Sequence, residues 1–112
     1  MSYGVMGGSY QPMGHVAVAL NRYVYGMDPQ EAIDFPREFP DSGQVEVEHT
    51  IPAAVMAGLE AKGHRLVPAV EPLGGGQAIM LGDDGMLVGG SDPRKDGCAL
   101  GYSKRGGILR AP

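Results

Sequence analysis

Tyr3-Gly4-Val5-Met6-Gly7-Gly8-Ser9-Tyr10-Gln11-Pro12-Met13-Gly14-His15 sets a pair of glycines directly ahead of a helix start. Glycine has no Cβ, so Gly7 and Gly8 can bring bare backbone N–H groups against an anionic atom at the head of the following helix. An oxyanion hole or a phosphate cradle is built this way, although an ordinary tight turn uses the same residues. From Gln11 to Tyr25 the apolar residues Met13, Val16, Ala17, Leu20 and Val24 recur at three- and four-residue steps, which predicts a helix with those residues on its buried face. Pro12 suits its first turn and Gly26 its end.

Beyond that helix, Asp28-Pro29-Gln30-Glu31 places a cap, a first-turn proline and a carboxylate three residues after the cap, predicting a short second helix through Ile33. Pro36 and Pro40 then predict an ordered, non-helical connector, Phe35 to Pro40, holding Arg37. Gln44-Val45-Glu46-Val47-Glu48 alternates and predicts a strand with Val45 and Val47 inward and both glutamates solvated. Ile51 to Gly63 predicts a helix with Val55, Met56 and Leu59 on one face, and Arg65 to Val70 a strand.

Two apolar runs, Gly74 to Leu81 and Met86 to Gly90, flank Gly82-Asp83-Asp84-Gly85 and predict a β-hairpin. Gly74-Gly75-Gly76 lacks the Lys-Ser/Thr pair of a phosphate loop and precedes a strand, so close backbone packing is its expected role. Ser91-Asp92-Pro93-Arg94 predicts a turn in which Arg94, between Asp92 and Asp96, is ion-paired and only partly exposed, a structural buttress. The alternation of helices and strands predicts an α+β fold with a mainly antiparallel sheet and two to three helices, over residues 1–102, followed by a basic flexible tail over 103–112.

The remaining composition narrows the function. The 112 residues suit one domain, and 43% hydrophobic content is enough for a core, while 19 Gly and 9 Pro make it loop-rich. A net charge of −4 with no basic stripe gives nucleic acid nothing to rest on. Cys98 is the only cysteine, and His15, His49 and His64 lack ligand spacing, so no metal, disulfide framework or cofactor is expected. No apolar run approaches a membrane span, and nothing selects a compartment.

With these residues in view, the chain resembles the C-terminal part of the small subunit of the γ-glutamyltranspeptidase family. The resemblance rests on Gly4-Val5-Met6-Gly7-Gly8, Tyr25 to Ala32 with Pro36-Arg37, the Ile51-Pro52 helix, Gly74 to Ile79, and Gly90 to Gly97 ending at Gly101-Tyr102, in the family's order. It implies the C-terminal portion of an N-terminal-nucleophile (Ntn) hydrolase αββα sandwich. It further implies that Gly7 and Gly8 are oxyanion-hole residues and that Arg37, Asp92 and Arg94 shape the site without moving protons.

The family's nucleophile is a threonine freed by self-cleavage, whose α-amino group can serve as base. The only threonine here, Thr50, has nothing like the family's cleavage site around it. The expectation is therefore a fragment of a γ-glutamyltransferase or hydrolase, acting on glutathione or another γ-glutamyl amide and inactive alone. Its partner would be the missing upstream part of the same protein or a second copy of this chain. Val5-Met6, where well-studied transpeptidases carry Ser-Pro, resembles the γ-glutamyltranspeptidase-like branch, related to cephalosporin acylases. A stand-alone, non-catalytic oligomerising or binding domain derived from the Ntn fold is the alternative, and an unrelated small-ligand binder using the glycine loops a third.

Overall fold

The computed structural model describes residues 1–102 and the backbone of 108–110. Strand β1 (Ser2–Met6) leads through a 3-10 turn (Gly8–Tyr10) into helix α1 (Gln11–Tyr23), then α2 (Pro29–Asp34), β2 (Glu38–Asp41) and β3 (Gln44–Val47). Helix α3 (Ala53–Ala61), β4 (Leu66–Pro68), β5 (Gly75–Leu81), β6 (Leu87–Ser91), β7 (Leu100–Tyr102) and β8 (Ile108–Arg110) follow. One antiparallel sheet has the order β1-β5-β6, with Val5 opposite Gly76 and Ala78 opposite Gly90. A second, β2-β3-β4, pairs β2 with β3 antiparallel and β3 with β4 parallel. The α+β, mainly antiparallel arrangement with three helices is as the sequence predicts.

Several elements follow directly from local chemistry. Asp28 accepts from the Glu31 amide at 2.8 Å while the Glu31 carboxylate accepts from the Asp28 amide at 2.9 Å, a complete capping box starting α2. The hairpin β5–β6 forms around the Asp/Gly turn. Pro40 is tolerated inside β2 because β2 is an edge strand, where a missing N–H costs no ladder bond; the connector expected over Phe35 to Pro40 is therefore shorter, and its second half is strand.

Helix α1 departs from expectation in which face it buries. Gly14, Val18 and Asn21 are its buried residues, whereas Met13, Val16, Leu20 and Val24 are exposed and Ala17 is half-buried. A Cβ on Gly14 would lie 2.6 Å from Val5 Cγ1 and 2.7 Å from Tyr10 Cε1, so the glycine is what lets α1 seat against β1. Asn21 Nδ2 donates to the Ala32 carbonyl at 3.2 Å, tying α1 to α2. His15 is satisfied rather than ligating: Nδ1 donates to the Gln11 carbonyl at 2.7 Å, and Nε2 accepts from the Val5 amide at 3.3 Å.

The core is divided between two clusters. Val5, Tyr10, Val18, Ala32 and Leu73 form the first, beneath the β1-β5-β6 sheet, and Val45, Val47 and Ile51 the second. Helix α3 buries none of its residues fully; Met56 and Leu59 are half-buried and Val55 is exposed, a thinner contact than the sequence predicts. The outward face of the first sheet carries Ile79, Leu81 and Leu87, all more than half exposed. Of the tail expected over 103–112, residues 103–107 and 111–112 lie outside the described residues; β8 pairs antiparallel with β7.

Candidate functional site

Gly7 and Gly8 sit at the junction of β1 and α1, with φ of +138° and +57°. A residue with a Cβ rarely adopts either value. Gly7 is also pressed against Gly74, whose Cα would lie 2.9 Å from a Cβ on Gly7. Because these residues open the 3-10 turn, their amides have no earlier carbonyl in the turn to meet. Among the described residues neither amide has a hydrogen-bond acceptor, while the Gly7 carbonyl accepts from Tyr10 at 3.0 Å.

An open cleft of about 320 Å³ adjoins the pair, lined by Met6, Gly7, Tyr10, Phe39, Leu73 and Gly74 together with Glu46, Glu71, Pro72 and Lys95. The Tyr10 ring is fixed edge-on to Phe39, with centroids 5.5 Å apart, and against the backbone at Gly74. Burial pushes the Tyr10 phenol up to about 12, so it stays protonated at neutral pH.

Behind the cleft, four charged side chains close into one buried clasp. Arg37 Nη2 donates to Asp92 Oδ2 at 2.7 Å, and Arg94 grips both oxygens of Glu48, at 2.6 Å from Nε and 2.5 Å from Nη2. Arg94 Nη1 also reaches Asp92 Oδ1 at 3.2 Å, so the two arginines and two carboxylates are joined through Asp92. Both arginines also donate to the Ile33 carbonyl, and Arg94 to that of Phe35, where the last carbonyls of α2 welcome a cation.

The clasp also holds the segment against which Gly7 leans. Arg37 donates to the Leu73 carbonyl at 2.7 Å, the Gly76 amide donates to Asp92 Oδ2 at 2.7 Å, and the Leu73 amide to Glu48 at 3.4 Å. Burial alone would raise the Asp92 carboxyl, but the Arg94 and Gly76 amides and the two guanidinium charges outweigh it and hold the group below its ordinary value. For Glu48 the same penalty is outweighed by the hydrogen bond from Arg94, the Arg37 and Leu73 amides and the Arg94 charge, so it too is lowered. Burial opposes the Arg94 charge, yet Glu48 and Asp92 overcome that and raise it.

The residues singled out from sequence thus fall into two adjacent groups, Gly7 at the cleft with Gly8 next to it in the chain, and Arg37, Asp92 and Arg94 in the clasp behind it. Arg94 pairs with Asp92 as expected, but its second partner is Glu48, not Asp96. Glu48 corrects the sequence reading: β3 ends at Val47, the chain turns, and Glu48 is buried instead of solvated. The signal that could have found it is a second arginine in a sequence where Asp92 alone cannot neutralise both. Thr50 lies exposed in the turn after β3. Among the described residues no cluster of His, Cys, Asp or Glu could hold a metal ion, and no helix is long and apolar enough to cross a membrane.

Residues 1–102 match the family model described as gamma-glutamyltranspeptidase. The chain is 38% identical over 92 residues to the acylase ACY 1 proenzyme of Pseudomonas sp. (strain SE83), covering 82% of this chain and 16% of that one. It is 35% identical over 108 residues to the glutathione hydrolase-like YwrD proenzyme of Bacillus subtilis (strain 168), covering 88% of this chain and 21% of the relative. The crystal structure of cephalosporin acylase from Bacillus halodurans superposes with a TM-score of 0.79 at 34% identity, covering 98% of this chain and 20% of that one. The chain spans about a sixth to a fifth of the length of these relatives. With the family model and the solved Ntn-hydrolase structures agreeing across nearly the whole sequence, this chain belongs to the gamma-glutamyltranspeptidase family.

Proposed function

We propose that this chain is the C-terminal part of an Ntn-type acyltransferase or hydrolase acting on a γ-glutamyl or related amide, and that it supplies the oxyanion hole. The observation that carries the reading is the glycine pair: two positive-φ glycines whose amides have no acceptor among the described residues, one of them backed by Gly74 at the edge of an open cleft. Amides fixed in advance stabilise the negative charge that develops on a carbonyl oxygen under attack. The acylase and hydrolase names of the relatives support amide substrates.

In the reaction so assigned, the hydroxyl of an N-terminal threonine, supplied by the upstream part of the protein, attacks the amide carbonyl while its own α-amino group takes the proton. Gly7 and Gly8 hold the resulting oxyanion. Collapse expels the amine, which receives the proton, and leaves an acyl ester on the threonine; water, or a second amine, then takes the acyl group. Arg37, Asp92, Arg94 and Glu48 act as positioning residues, because they fix Leu73 to Gly76 and through Gly74 the conformation of Gly7.

Co-expression of this chain with the upstream portion carrying a free N-terminal threonine tests the reading. Hydrolysis of a γ-glutamyl anilide is expected from the pair and from neither part alone. A chain that hydrolyses the anilide unaided, or a stably assembled pair that hydrolyses neither γ-glutamyl nor glutaryl anilides, would contradict it.

A further inference from the structure

A second cleft, of about 340 Å³, opens at the far end of the β2–β3 hairpin, where the hairpin meets the link from α3 to β4. The link is closed by hydrogen bonds: the Gly63 amide donates to the Glu60 carbonyl at 2.9 Å and the His64 amide to that of Leu59 at 3.2 Å, ending α3 on a left-handed glycine at φ +92°. The Val45 amide then donates to the Arg65 carbonyl at 2.8 Å and fastens the start of β4 to β3. On the opposite wall Ser42 and Gly43 turn the hairpin with φ of +50° and +81°. The Ser42 hydroxyl donates to Asp41 Oδ1 at 3.1 Å and orients that carboxylate. Asp41 pairs with Gln44, and Gln44 and Arg65 stand one step before the Val45–Leu66 pair of the parallel ladder, so Asp41, Gln44 and Arg65 form one row across β2, β3 and β4. In the next row Val45 and Leu66 pack into the second core cluster, and alternation turns the row of Asp41 to the other face, where all three residues line the cleft. Strands on either side of a middle one lie about 9 to 10 Å apart. Among the described residues neither Asp41 nor Arg65 makes an ion pair, so a carboxylate and a guanidinium face each other across the cleft with the Gln44 amide between them.

We infer that this cleft is a binding site for a small zwitterion, which places its carboxylate on Arg65 and its ammonium on Asp41. The planar guanidinium takes a carboxylate through two parallel N–H donors, and the Asp41 carboxylate accepts from an ammonium. A ligand with a single charge leaves one wall without a partner, whereas a zwitterion answers both and is held in one orientation. The site is distinct from the cleft that holds Gly7: Phe39 and Glu46, which line that cleft, lie two rows further along the same hairpin. It therefore stands whichever reaction Gly7 and Gly8 serve. α-Amino acids and longer ω-amino acids share this chemistry and differ in the span between their charges, which separates them by experiment.

The test is a titration of the 15N-labelled chain with glycine and with 4-aminobutyrate at constant ionic strength, with propionate and propylamine as single-charge controls. At least one zwitterion is expected to shift the amides of Asp41, Ser42, Gly43 and Arg65 saturably, and the tighter of the two reports the span of the site. Neither control should do so at the same concentration, and added salt should weaken the effect. Asp41 and Arg65 are exposed, so Asp41→Asn and Arg65→Met should keep the fold. Each should weaken binding about two- to fivefold, the scale of an exposed charge pair, and Arg65→Lys less than Arg65→Met. If one variant loses its native amide spectrum, the other decides. Absence of saturable shifts with both zwitterions, shifts as large with propionate or propylamine, an affinity unchanged in the folded variants, or shifts centred on Gly7 and Gly74 instead overturns the inference.

Discussion

Gly7 and Gly8 share a backbone demand but not a packing demand, and this separates them experimentally. A Cβ on Gly8 meets nothing within 4 Å, so Gly8→Ala bears only the left-handed backbone cost of about 1 to 2 kcal/mol. Gly7→Ala must also push Gly74 aside, so its loss in urea-unfolding free energy should clearly exceed that of Gly8→Ala. Equal losses would mean that the close approach to Gly74 is not maintained in solution. In the clasp, Asp92→Asn or Arg37→Met leaves an opposite charge buried without its partner, and about 3 to 5 kcal/mol of stability should be lost. A loss below about 1 kcal/mol, the range of exposed pairs, would contradict the burial of the clasp.

Elements show where sequence reading succeeds and where it stops. Helix α2 and the β5–β6 hairpin were legible because their signals are local: a cap and carboxylate three residues apart, and an Asp/Gly turn between apolar runs. The buried face of α1 was not, because hydrophobic periodicity gives weight to Met13, Val16, Leu20 and Val24 and none to glycine, yet Gly14 makes the closest contact. Strand β1 has no local signal, because its pairing partner lies about 70 residues further along the chain. Arg37, Asp92 and Arg94 could be picked out individually, whereas Glu48 joins them only through the fold. On this basis Gly14→Ala should destabilise the chain, while Val16→Gln and Leu20→Gln should stay within about 0.5 kcal/mol, as exposed substitutions do. Thermal unfolding of the three variants checks the order. The clasp also sets an acid limit. Asp92 and Glu48 are both held below their ordinary values of 3.8 and 4.5, so their stabilisation is present above that range and fades as the pH falls through the lowered values. Stability measured down through pH 4 should decline, and less steeply in Glu48→Gln; an identical slope would remove Glu48 from the acid response.

Among the described residues two apolar surfaces are exposed, the outer side of α1 and the end of the β5–β6 face that carries Ile79, Leu81 and Leu87. Exposed patches of this kind mark interaction surfaces, and under the proposed function the upstream part of the protein would cover them. The free chain should therefore bind a hydrophobic dye or sediment as an oligomer, and the upstream portion should suppress both. A monomer that ignores the dye would show that these surfaces need no partner. The oxyanion assignment is tested most directly by kcat of the reconstituted enzyme carrying Gly8→Val. A Cβ there has room, so the variant should still assemble, yet the strained backbone should displace the amides, and kcat should fall by about 100- to 1,000-fold, as when an oxyanion donor is lost. Full activity in a correctly assembled Gly8→Val enzyme would contradict the assignment of the glycine pair.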